Sequence, residues 1–241
     1  MTDDNKIIQG LWIGTRLSAM EQLCIKSYQA NGHEFHLYTY EGVEGVPEGT
    51  VLKNAGDIWL VNLAEYPSVI CVADIFRYKL LLALGGWYSD MDMVCLKPFD
   101  FIEEYVFAGE YNPNPPLVRA NTNIMRCPAG ASILKLLLAK CEGMDFSKWS
   151  WPSTAPIPMT EAVQELEMEQ WVKPPSVFNP IPHTRVPKLI SHKLLDPLGL
   201  EHMPDAYAVH LWRGGWQRRG LDTDAEYHPL SLYEKLKEQY P

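Results

Sequence analysis

Ser68-Val-Ile-Cys-Val-Ala-Asp-Ile-Phe-Arg-Tyr-Lys-Leu-Leu-Leu-Ala-Leu-Gly-Gly-Trp-Tyr-Ser-Asp-Met-Asp-Met-Val-Cys-Leu96 contains the transition that decides the fold. Apolar residues recur at helical spacing over 68–84, and Gly85-Gly86 supplies the residues that tolerate the left-handed conformation at a helix end. Residues 87–96 then read as one short central strand. Asp90 and Asp92 stand at i and i+2, where that strand is expected to leave the sheet. Open α/β sheets bind ligands beyond the carboxyl ends of their strands, so a site is expected here.

Upstream, Lys6-Ile-Ile-Gln-Gly-Leu-Trp-Ile-Gly14 is a short apolar run ending in glycine, the pattern of a buried strand that stops at a ligand-facing loop. Residues 17–31 follow as a helix, 34–40 as a second strand and 42–49 as a turn-rich linker around Pro47. Strand, helix, strand with short connections opens a mostly parallel central sheet flanked by helices, an α/β fold. Downstream, 107–110 reads as a strand, 129–141 and 161–171 as helices, 206–212 as a final strand and 230–239 as a closing helix. Prolines 174, 175, 180, 182, 187 and 197 break the intervening chain into loops and short strands.

The 241 residues suffice to bury one full core, so a single domain over 1–241 is expected. Acidic residues outnumber Lys and Arg by 30 to 21, giving a net charge of −9 that argues against a nucleic-acid partner. Cys24, Cys71, Cys95, Cys127 and Cys141 form no CxxC pair and sit among apolar neighbours, as reduced core thiols do. The polar, acidic start lacks the basic and apolar regions of a signal peptide, and no run approaches the roughly 18 apolar residues of a membrane span. The sequence is therefore expected to be cytoplasmic, with peripheral membrane contact and oligomeric state left open.

A divalent cation that holds a diphosphate needs hard oxygen ligands and open positions, which aspartates at a strand end provide. Asp90 and Asp92 meet that description, although an isolated Asp-x-Asp is more often a solvated turn. Asp74 and Arg77, three residues apart on one helical face, could present hydrogen bonds to sugar hydroxyls or form an ordinary intrahelical ion pair.

Taken together, Asp74-x-x-Arg77-Tyr78, Gly85-Gly86-x-Tyr88, Asp90-x-Asp92 and Lys97-Pro98 resemble the sugar-binding DXD region of a retaining glycosyltransferase family. That family includes the α-1,4-galactosyltransferases and the initiating α-1,6-mannosyltransferases. The resemblance implies a GT-A fold and transfer of a hexose from a nucleotide-diphosphate sugar, UDP favoured, to a glycan or glycolipid hydroxyl. It implies Mn²⁺ or Mg²⁺ on Asp92 and Asp90, the two catalytic aspartates, with His210 of His210-Leu-Trp212 as a further metal contact. It assigns Asp74, Arg77, Tyr88, Asn121 and Asn123 to the donor sugar, and Trp12, Ile13 and Trp212 to the nucleotide. The leaving phosphate takes the acceptor proton in such enzymes, so no dedicated base is required. Thr154 to Thr160 resembles a family loop built on Gly-Pro, but Ala155-Pro156 stands there, so no role is assigned. Arg213, Arg218 and Arg219 are either partners of the diphosphate or a solvated basic patch.

Two other functional classes share parts of this pattern. A glycoside hydrolase needs two carboxyl groups facing each other across a bond, which neighbours on one strand end do not provide. A catalytically silent carbohydrate- or nucleotide-binding module of the same fold would retain the pattern without turnover.

Overall fold

The computed structural model describes residues 5–113, 116–192 and 200–241. Residues 1–4, at the acidic start, and Pro197 lie outside the described residues.

The first strand, β1 (Ile7–Trp12), pairs in parallel with β2 (Glu34–Thr39) on one side, and the helix α1 (Ala19–Ala30) connects the two. The helix begins where the sequence supplies a capping box: Ser18 Oγ accepts from the helix backbone while the Glu21 carboxylate accepts the Ser18 N–H at 2.7 Å. β2 pairs in parallel with β3 (Val51–Asn54), an edge strand too short and too exposed to stand out in the sequence. The helix α2 (Val69–Leu84) starts at the Ser68 cap and stops at Gly85, which has φ +67°. A Cβ at Gly85 would lie 2.6 Å from the Ala129 backbone nitrogen, so both the turn and the close approach require glycine.

The expectation of one strand over 87–96 needs correction. β4 (Gly86–Ser89) joins β1 in the large sheet, whereas β5 (Met93–Cys95) belongs to a separate two-stranded sheet with β8 (Ala208–His210). The chain leaves the first sheet after Ser89 because Asp90 N–H still donates to Asn123 O while Asp92 O accepts from Leu211 N–H of the second. Asp90-Met91-Asp92 is thus the seam between two sheets.

The large sheet has the order β3-β2-β1-β4-β7-β6, completed by the hairpin strands β6 (Val106–Pro113) and β7 (Pro116–Cys127). β7 runs antiparallel to both neighbours, so β6 shares the direction of the other four and the sheet is mostly parallel, as expected. β7 was not foreseen, because its central residues, Asn121, Thr122 and Asn123, are polar yet buried. Among the described residues the remaining α-helices are α3 (Ser132–Glu142), α4 (Pro156–Glu165), the one-turn α5 (Pro175–Phe178), α6 (Arg213–Gln217) and α7 (Leu232–Gln239). α4 corrects the expected 161–171 helix: Pro156 starts it a turn earlier, since proline suits the first helical position, and it ends by Glu165.

Three apolar clusters hold these layers. Phe76, Leu80, Leu81, Met125, Leu134 and Met159 pack α2, α3 and α4 on the large sheet. Ile8, Tyr28, Phe35, Trp87, Phe99 and Phe178 fill a second, ring-rich cluster. Val94, Val209, Trp216, Tyr233 and Leu236 close α7 over the small sheet and the Met20 and Leu23 face of α1. Each fully buried side chain of this size contributes on the order of 1.5–3 kcal/mol. Among the described residues no helix is long and apolar enough to cross a membrane.

Candidate active site

The seam places two aspartates on different supports. On the α2 side, the carboxylate of Asp74 meets Arg77 Nη2 at 2.9 Å, and the same nitrogen meets Asp90 Oδ1 at 3.0 Å. Arg77 Nη1 also donates to Thr122 Oγ1 at 2.7 Å and Thr122 O at 2.8 Å. The guanidinium is therefore saturated and almost fully buried, held between two carboxylates that compensate its charge. Thr154 Oγ1 donates to the other Asp74 oxygen at 2.7 Å, so the loop to which no role was assigned buttresses Asp74.

On the small-sheet side, Asp92 Oδ2 lies 3.1 Å from His210 Nε2 and accepts the backbone N–H of Arg213 at 2.8 Å. Trp212 takes up the left-handed conformation, φ 59° and ψ 54°, at the start of α6, and the next amide is thereby placed on Asp92. Such a conformation costs a non-glycine residue about 1 kcal/mol or more. Burial alone would raise the Asp92 carboxyl, but His210 and the Arg213 N–H hold it below the usual range. Burial instead pushes the Asp90 carboxyl up to about 7, against the pull of Arg77 and with Asp92 adding to the rise.

The expected ligand set is only partly gathered. Asp92 and His210 touch, while Asp90 is turned to Arg77, and among the described residues no three His, Cys, Asp or Glu side chains form a ready-made cage. The donor chemistry nevertheless suits Mn²⁺ or Mg²⁺, since carboxylate oxygen and imidazole nitrogen leave room for phosphate and water.

Several assigned contacts are occupied by protein partners. Tyr88 is 1% exposed beneath the Arg77 guanidinium, 5.0 Å from its ring centre, so it supports Arg77 and presents no free face to a sugar. Asn121 Nδ2 donates to the buried Glu110 at 2.7 Å, and its oxygen accepts the Thr122 and Asn123 N–H groups. Asn123 Nδ2 faces His210 Nδ1 at 3.0 Å and Asn179 Oδ1 at 2.7 Å. Trp212 stacks on His210 with ring centres 3.7 Å apart and donates to Ile181 O, backing the histidine from the protein side. Trp12 is half-buried, with Arg213 Cζ 5.0 Å above its ring and Nε1 buried without a partner. Ile13 packs at the edge of the α2 core. Arg213 also reaches Glu21 at 2.7 Å, whereas Arg218 and Arg219 are exposed.

Residues 19–108, which span the Asp74-Arg77 helix and both aspartates, match the glycosyltransferase sugar-binding region containing the DXD motif. The chain thus carries a region similar to the sugar-binding region of DXD glycosyltransferases. The chain is 25% identical over 222 residues to the initiation-specific alpha-1,6-mannosyltransferase of Candida albicans (strain SC5314 / ATCC MYA-2876), covering 64% of this chain and 56% of that protein. It thus spans about half the length of the curated relative it matches. Its fold is the GT-A fold. The PaToxG glycosyltransferase superposes with a TM-score of 0.52 at 15% identity, over 98% of this chain and 84% of the other. GlyE of Streptococcus pneumoniae TIGR4 superposes with a TM-score of 0.51 at 11% identity, over 98% and 62%.

Thr122, Thr154, Asn179 and Glu110 complete the candidate site, and the sequence alone gives none of them a role. Each is an isolated polar residue whose importance appears only when distant strands meet.

Proposed function

We propose that this chain is a metal-dependent, retaining hexosyltransferase that uses a nucleotide-diphosphate sugar, UDP favoured, and a hydroxyl of a glycan or lipid-linked acceptor. The observation that carries the reading is the paired support of the two aspartates, Asp90 on Arg77 and Asp92 on His210, at the carboxyl end of β4. Asp92 and His210 would hold Mn²⁺ or Mg²⁺, with Asp90 joining on release from Arg77. The cation would neutralise charge on the leaving diphosphate. Trp12 is the surface for the base, with Arg213 moving from its ring and from Glu21 toward the phosphates. Asp74 and Arg77, fixed by Thr154 and Thr122, give the donor-sugar side its shape. A cytoplasmic setting, a single domain over 1–241 and a role in polysaccharide or glycoconjugate synthesis belong to the same reading.

The named activity of the Candida albicans relative makes mannose one of the sugars to test beside galactose, glucose and N-acetylhexosamine. Calorimetry with UDP- and GDP-sugars, with and without Mn²⁺, tests the proposal. Metal-dependent binding of one donor that disappears in Asp92→Ala supports it. No binding under any condition leaves the catalytically silent module.

A further inference from the structure

Of the eight tryptophans, all among the described residues, Trp151 alone is exposed, at 47%. It belongs to none of the three apolar clusters, whereas Trp149, two residues earlier, packs on the first of them. An exposed tryptophan is uncommon, and indoles are enriched where proteins meet partners. The backbone around this one is firmly set. Ser153 N–H donates to Ser150 O at 2.8 Å, which closes a turn with Trp151 at its tip. Thr154, the next residue, is fully buried and held three ways. Its O accepts from Tyr78 Oη at 2.9 Å, its Oγ1 accepts from Trp149 Nε1 at 3.0 Å, and the same hydroxyl donates to Asp74 Oδ2 at 2.7 Å. The other Asp74 oxygen meets Arg77, which reaches Asp90. The turn is thus fastened to the Asp74 end of the candidate site, and its exposed ring stands on a rigid support.

We propose that Trp151 is an acceptor platform on which a pyranose ring of the acceptor stacks, which makes the acceptor a glycan recognised through a sugar ring. The inference deepens the function proposed above and rests on it for the donor-sugar side at Asp74. A pyranose is apolar across its C–H face and hydroxylated around its rim. The indole offers an electron-rich face of matching width, and the flanking Ser150 and Ser153 offer hydroxyls for the rim. Every group in this contact is uncharged, which suits a neutral saccharide. Lys148, three residues before Trp151, is already paired with Asp145 at 2.9 Å, so the turn holds no spare cation there for an anionic headgroup. A turn fixed before binding loses little freedom when the sugar arrives.

Saturation-transfer NMR on the full chain, free of metal and donor, tests this with methyl glycosides of mannose, galactose, glucose and N-acetylglucosamine as probes. At least one should bind the wild type, weaken about tenfold in Trp151→Ala and about threefold or less in Trp151→Phe, which keeps a ring. Both substitutions fall at an exposed position, so the variants should melt with the wild type. No saccharide binding in the wild type, or equal binding in Trp151→Ala, would overturn the platform. Blue-shifted tryptophan emission with phosphatidylcholine vesicles, lost in Trp151→Ala and seen in place of saccharide binding, would overturn it in favour of a bilayer contact. Calorimetry with the UDP- and GDP-sugars and Mn²⁺ separates this from the wider reading. Trp151→Ala should bind the donor within about twofold of wild type. Equal weakening of donor and saccharide would make Trp151 a donor contact and overturn the acceptor role. Saccharide binding at Trp151 with no donor bound by any protein would uphold the platform and remove the transferase reading instead.

Discussion

Arg77 Nη2 lies 3.0 Å from Asp90 Oδ1, tying the middle of α2 to the first residue of the seam. The bond sets where Asp90 can point. It also leaves Asp74 and Asp90 dependent on a single cation inside the protein.

Arg77→Met should accordingly destabilise the fold by about 3–5 kcal/mol, because the buried Asp74 and the half-buried Asp90 lose their compensating charge. In a chain of this size that corresponds to a fall in Tm on the order of 10 °C. Adding Asp74→Asn to Arg77→Met should recover part of the loss. Urea denaturation of the single and double variants checks this, and strict additivity would contradict the shared network.

Asp92→Asn keeps the size of the side chain and an acceptor for the Arg213 N–H but removes the charge facing His210. Transfer activity should drop at least 100-fold with a Tm change of only a few degrees. A matched drop in activity and stability would assign Asp92 to the fold instead of the site.

Gly10 supports the seam from beneath. A Cβ there would stand 2.9 Å from Phe35 Cζ and 3.1 Å from both Met91 Sδ and Ser89 O. Gly10→Ala should cost about 1–3 kcal/mol through overpacking and shift Met91, the residue between the two aspartates. Donor or Mn²⁺ affinity should weaken with it, readable by calorimetry on folded protein.

All five cysteines are buried free thiols, and burial raises each of them, Cys71 to about 11 and Cys141 to about 12. A thiol-specific reagent at neutral pH should therefore find essentially no reactive group in the folded protein and five after denaturation. A fast-reacting thiol in the native state would show that one of these positions opens to solvent.

These positions also show what the sequence disclosed. The apolar spacing over 68–84 and Gly85-Gly86 write their signals locally, so α2 is legible almost to the residue, and α1 to within two residues of the expected 17–31. The alternation from Trp87 to Leu96 continues through the aspartates, which hid the change of sheet at Ser89; only pairing with β8 reveals it. β7 was illegible for a different reason: Asn121 and Asn123 look like loop residues until Glu110, His210 and Asn179 give them partners. Asp74, Arg77, Asp90 and Asp92 stood out because their spacing lies within one helix and the following strand. Asn179 and Thr154 lie 56 and 80 residues from Asn123 and Asp74, the side chains they meet, a distance over which spacing carries no signal.

The seam has a further consequence for how the protein comes into being. Asp92 waits for His210, 118 residues later, and for the Arg213 amide, 121 residues later. A ribosome-bound chain that has released the whole of α2 and β4 therefore carries the aspartates but lacks one side of their cradle. Competence at this site arrives late in synthesis, when the small sheet closes, and a premature stop before residue 208 would yield a chain with its signature motif intact and Asp92 without its clasp.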